Sequence, residues 1–93
     1  MTNYQKMQEC HRNDLRTLAE NDCDWDWEFL HKFVITKVRN MLEYYELGEN
    51  NTNSTEDNAK IIRELKRVLE LNSIGDIHGV YTYISAHIRN WWD

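Results

Sequence analysis

Apolar and aromatic side chains recur at steps of three and four along most of the chain, the spacing of one face of an α-helix. Tyr4, Met7, His11, Leu15 and Leu18 form the first such stripe, and Trp27, Leu30, Val34, Val38, Met41 and Tyr45 the second, widened by Ile35 and Leu42. A third runs through Ala59, Ile62, Leu65, Val68 and Leu69, broadened by Ile61. The fourth is Ile77, Val80, Tyr81, Ile84, Ile88 and Trp91. Tyr81-Thr82-Tyr83-Ile84 alone has strand-like composition, but helical spacing persists over residues 77–91, too long for an ordinary strand.

The polar positions between the stripes supply starts and stops. Glu20–Asp24, Gly48–Thr55 (GENNTNST) and Asn72–Gly75 break the pattern. Asp24 stands where a cap is wanted, with Asp26 and Glu28 in the following turn, and Gly48 suits a left-handed helix end. Ser54 or Thr55 caps the third segment, with Glu56 and Asp57 behind it, and the fourth starts near Asp76. The expected fold is all-α: one domain over residues 1–93, a small bundle of about four helices. An antiparallel hairpin of about 24–47 and 56–71 is flanked by an N-terminal and a C-terminal helix. Those flanking helices are expected to bury Leu15, Leu18, Ile84, Ile88 and Trp91 against it, with Trp27 in the core.

Composition agrees with this pattern. The 93 residues include no proline and three glycines, so the strongest helix breaker is absent. An apolar share of 41% supports a modest core and excludes a disordered chain. The longest aliphatic or aromatic run is Phe33-Val34-Ile35, far short of a membrane span. Residues 1–20 hold no apolar stretch of the secretory kind, so a cytoplasmic setting with Cys10 and Cys23 as free thiols is expected. In that setting the sequons at Asn50 and Asn53 signify only a polar loop.

Charge changes the picture more. Residues 20–57 carry ten acids against Lys32, Lys37 and Arg39, a balance of −7 within a net charge of −5. General binding to duplex nucleic acid, which depends on neutralised phosphates, is disfavoured. Lys60, Arg63, Lys66 and Arg67 fall within eight residues and read first as a solvated helix face. Facing Arg39 across the hairpin, Lys60, Arg63 and Arg67 would make a phosphate-sized site for a small nucleotide.

The chemistry-bearing stretch is Asp22-Cys23-Asp24-Trp25-Asp26-Trp27-Glu28. Its D-x-D-x-D spacing matches the front of a calcium loop, but positions six and twelve hold Trp27 and Phe33 where glycine and glutamate are required. Asp22, Asp24, Trp25, Asp26 and Glu28 instead suit a contact patch for a protein partner. Trp92 is a further candidate, because adjacent tryptophans on a helix cannot share a face. No metal-ligand spacing, nucleophile elbow or phosphate loop is present, so no catalytic residue, metal or cofactor is assigned. His11 and His31 read as half-buried, hydrogen-bonded residues at stripe edges.

The run Asp24-Trp25-Asp26-Trp27-Glu28-Phe29-Leu30 with Lys37–Tyr45 resembles a type of small bacteriophage protein that shares a W-D-[WY]-x-[FY]-L opening. Asn58–Ile62 with Val68–Leu71 resembles the second helix of those proteins, and Trp91-Trp92-Asp93 a tail that some share. The resemblance implies a phage or prophage setting, where compact acidic proteins act by binding host machinery, defence systems included. Three functions are therefore expected in order: an inhibitor that binds a host protein, an oligomeric sponge for a small nucleotide signal, and a virion structural or assembly protein.

Overall fold

The computed structural model describes residues 1–49 and 51–92; Asn50 of the polar loop and Asp93 of the tail lie outside the described residues. The chain forms α1 (Asn3–Glu20), α2 (Trp27–Leu47), α3 (Thr55–Ser73) and α4 (Ile77–His87), followed by a 3-10 turn (Ile88–Asn90). The described residues contain no strand.

Local chemistry sets each boundary. Thr2 and Gln5 form a reciprocal capping box: the Thr2 hydroxyl accepts from the Gln5 N–H at 3.1 Å, and the Gln5 side chain accepts from the Thr2 N–H at 2.9 Å. Ser54 caps α3 by accepting from the Asp57 N–H at 3.1 Å, ahead of Glu56 and Asp57 in the first turn. Gly48 ends α2 at φ 69°, and Gly75 turns the chain at φ 76° between α3 and α4, conformations that a Cβ disfavours. Asp76 caps α4 by accepting from the Gly79 N–H at 2.9 Å.

Two boundaries differ from expectation. The cap of α2 is Asp26, which accepts from the Glu28 N–H at 2.9 Å, and Asp24 belongs to the preceding turn. Asp26 reaches the free N–H groups because the chain is extended there, at φ −102° and ψ 110°. At the other end, α4 stops at His87 and tightens into the 3-10 turn rather than running on to residue 91. That turn swings Trp91 into the core.

The helices pack in chain order, α1 on α2, α2 on α3 and α3 on α4. The core is Ile35, Val38 and Tyr45 from α2, Ile61, Leu65, Val68 and Leu71 from α3, Val80 from α4, and Trp91. The expected burial of Leu15, Leu18, Ile84, Ile88 and Trp27 is met only in part. Leu15, Leu18 and Ile84 are half-buried, while Trp27, Leu30 and Ile88 are exposed. The reason is placement: α1 lies along one side of α2 and leaves the seam between α2 and α4 open. The molecule is accordingly a slab of 39 × 32 × 20 Å, with a radius of gyration of 14.0 Å against about 12 Å for a compact chain of this length.

Candidate functional site

The turn between α1 and α2 is short and closed by backbone bonds, Asp22 N–H to the Ala19 carbonyl at 3.3 Å and Asp26 N–H to the Cys23 carbonyl at 3.0 Å. These bonds hold Trp25 out of the molecule, 85% exposed. Asp22, Asp24 and Glu28 are exposed around it, and none of the three enters an ion pair among the described residues. Asp26 is half-buried and committed to the cap, so it shapes the turn rather than offering a free carboxylate. Trp27, 62% exposed, and Leu30, 67% exposed, continue the apolar part of the surface onto α2.

His31 anchors this end. Its Nε2 lies 2.6 Å from Asn72 Oδ1 and its Nδ1 2.6 Å from the Tyr81 hydroxyl. Because the amide oxygen only accepts, Nε2 carries the hydrogen, and in the neutral imidazole Nδ1 then accepts from Tyr81. One imidazole thus ties α2 to α3 and α4 beneath the exposed tryptophans, with the Trp27 and His31 rings 6.4 Å apart. His11 is likewise half-buried and bonded, 2.7 Å from Glu43.

Trp92, 73% exposed, lies at the opposite end, where its carbonyl accepts from Asn53 Nδ2 at 3.1 Å. The length of α2, about 30 Å, separates it from Trp25, so the six partner-binding candidates do not form one patch. Trp92 instead borders a recess of about 280 Å³ with Lys60, Arg89, Asn53 and Asp57.

The four expected cations are not brought together. Arg39 lies on the α1 side of α2, in a recess with Asp14 and Glu43. Arg67 pairs with Glu70 on its own helix at 3.2 Å, and Arg63 is exposed on α3. Lys60 shares its recess with a second cation, Arg89, which sequence spacing did not single out. Among the described residues no group of three or more His, Cys, Asp or Glu side chains converges on a metal-sized point. No helix among them is long and apolar enough to cross a membrane.

The feature missed from sequence is an open apolar groove of about 510 Å³ between α2 and α4. Phe33, Val34 and Met41 form one wall, Tyr81, Ile84 and Ile88 the other, over a floor of buried Val38 and Trp91. Its signal was present in the stripes Trp27-Leu30-Val34-Met41 and Ile77-Tyr81-Ile84-Ile88, which read as core. Comparison of the chain with protein-family models, curated proteins and solved structures gives no match.

Proposed function

We propose that this protein is a non-enzymatic, phage-type accessory protein that binds a host protein and inhibits it through the acidic, aromatic turn at residues 22–28. The observation that carries this reading is Trp25, 85% exposed in a hydrogen-bonded turn and flanked by the carboxylates of Asp22, Asp24 and Glu28, which form no ion pair among the described residues. A tryptophan presented on a closed turn supplies large contact area with only two side-chain torsions to order. The surrounding negative charge favours a basic surface, such as the nucleic-acid channel of a defence component, and accelerates encounter with it. The resemblance of residues 24–45 to small phage proteins supports the setting.

The test is pull-down from bacterial host lysate at low and high salt, comparing wild type with Trp25→Ala and with Asp22→Lys/Asp24→Lys/Glu28→Lys. Asp26 is left intact because it caps α2. Trp25→Ala weakens capture at least tenfold, and charge reversal abolishes it. Capture that survives both changes refutes the reading.

A second reading is favoured by the recess in which Lys60 and Arg89 lie beside the exposed Trp92 ring. Two cations and an aromatic face suit a small nucleotide held as by a sponge. A thermal-shift panel of linear and cyclic nucleotides separates the two, since ligand bound to the folded state raises the melting temperature. The leading reading expects a flat panel.

A further inference from the structure

We propose that the groove between α2 and α4 is closed by a second copy of this chain, so that the protein is an isologous dimer built on a shared four-helix core. Two helical stripes written as core end in solvent. On α2, Trp27 and Leu30 lie on the same face as Val34 and Met41; Ile77, Tyr81 and Ile84 of α4 and Ile88 at the start of the 3-10 turn stand about one turn apart. In a four-helix bundle a further pair of helices covers such a seam. Here α1 packs on the other side of α2, and the seam stays open.

The uncovered area is what a dimer needs. Trp27, Leu30, Ile77, Tyr81 and Ile88 are each between 36% and 67% exposed. At about 200 Å² for a large side chain, these five and the half-buried groove walls present roughly 700 Å² of apolar surface. That exceeds the few hundred Å² usual for the largest patch on a monomer and approaches the ~800 Å² each partner contributes to a standard interface. A two-fold axis near Val34 sets Trp27 and Leu30 of one copy against the Met41 end of the other, so the same face serves both copies.

Charge selects the antiparallel sense. Lys37 lines the groove about three turns beyond the acidic start of α2. With the axis near Val34, Glu28 of one copy stands opposite residue 40 of the other, about one turn from Lys37, whereas parallel helices stack two acidic starts. Trp25, in the turn rather than on the α2 stripe, remains at the rim of each copy, so Trp25→Ala tests the partner surface apart from the dimer.

Sedimentation equilibrium over about 1–200 μM decides the matter, with Leu30→Glu, Ile88→Glu and, as a control on the far side, Arg63→Glu. Leu30 and Ile88 are exposed in the single chain, so circular dichroism of both variants should retain the wild-type helix content. The expected result is a particle of twice the 11.3 kDa chain mass for wild type and Arg63→Glu. The two groove variants should dissociate at least a hundredfold more readily. A monomeric wild type across the range overturns the proposal, including one whose groove takes up a foreign helix. So does a dimer that either groove variant leaves intact.

Discussion

Trp91 donates its indole N–H to a carboxylate oxygen of Glu64 at 3.2 Å, joining the end of the chain to the middle of α3 inside the core. Glu64 is only 7% exposed. Asn90 Nδ2 lies 3.4 Å from the same oxygen, and His87 Nε2 lies 3.9 Å from the other. The 3-10 turn therefore brings two donors, the Asn90 amide and the Trp91 indole, onto one buried carboxylate oxygen. A buried carboxylate left short of donors is costly, so Trp91→Phe should destabilise by about 1–3 kcal/mol. Glu64→Gln, which keeps an accepting oxygen, should cost less. In urea denaturation the double variant Glu64→Leu/Trp91→Phe should lose less than the sum of its singles, because no orphaned acceptor remains.

Gly79 and Asp76 form a second coupled pair. A Cβ at Gly79 would overlap the Asp76 carboxylate that caps α4. Alanine is favoured over glycine within a helix by about 1 kcal/mol, but here it displaces a cap worth about the same. Gly79→Ala in the wild-type chain should thus change stability by less than about 0.5 kcal/mol. In an Asp76→Ala background the same change should stabilise by about 1 kcal/mol. A thermal double-mutant cycle reads the difference.

The N-terminal helix is held differently from the rest. No residue of α1 is fully buried. Its ties are the His11–Glu43 contact at 2.7 Å, the edge-on Tyr4–Tyr44 pair at 5.8 Å, and bonds from Asn3 and the Tyr4 N–H to Glu49. Native-state hydrogen exchange should show amides 6–20 opening at lower free energy than those of α3, which carries Leu65 and Val68 at zero exposure. His11→Ala should lower α1 protection further while leaving α3 protection nearly unchanged.

Alkaline sensitivity should come from two tyrosines. Burial raises the Tyr81 hydroxyl above its ordinary 10.0. Burial, and then the neighbouring Glu64 charge, do the same to Tyr83. A raised value means that the folded state keeps the proton longer than the unfolded chain. Their contribution is therefore intact below pH 10.0 and is lost as pH rises through the folded values. Urea midpoints should fall above that pH, and Tyr81→Phe/Tyr83→Phe should flatten the fall.

Much of the local structure was legible because it depends on near neighbours. Ser54, Gly48, Gly75 and Asp76 act within a few residues of themselves, and the helix boundaries they set match the polar breaks. The cap of α2 was misplaced by two residues because Asp22, Asp24 and Asp26 are chemically alike, and only backbone conformation chooses among them. Of the candidate site, Trp25 and its carboxylates were found as a cluster because they are contiguous. Arg89 was missed because its partner Lys60 is far away in sequence. Arg39 was wrongly grouped with Lys60, Arg63 and Arg67 because helical spacing does not say which neighbour a polar face meets.

The amino-acid order by itself determined four amphipathic helices, the caps of the last two, and an acid-rich tryptophan run between the first two, since each depends on interactions spanning one turn. Tertiary structure alone decided which apolar stripes close. Burial is set by where α1 comes to rest, and it rests beside α2 rather than over the α2–α4 seam. Trp91 went inside because the 3-10 turn swings it there, while Trp27, Leu30 and Ile88, apolar residues in equally regular stripes, were left facing water.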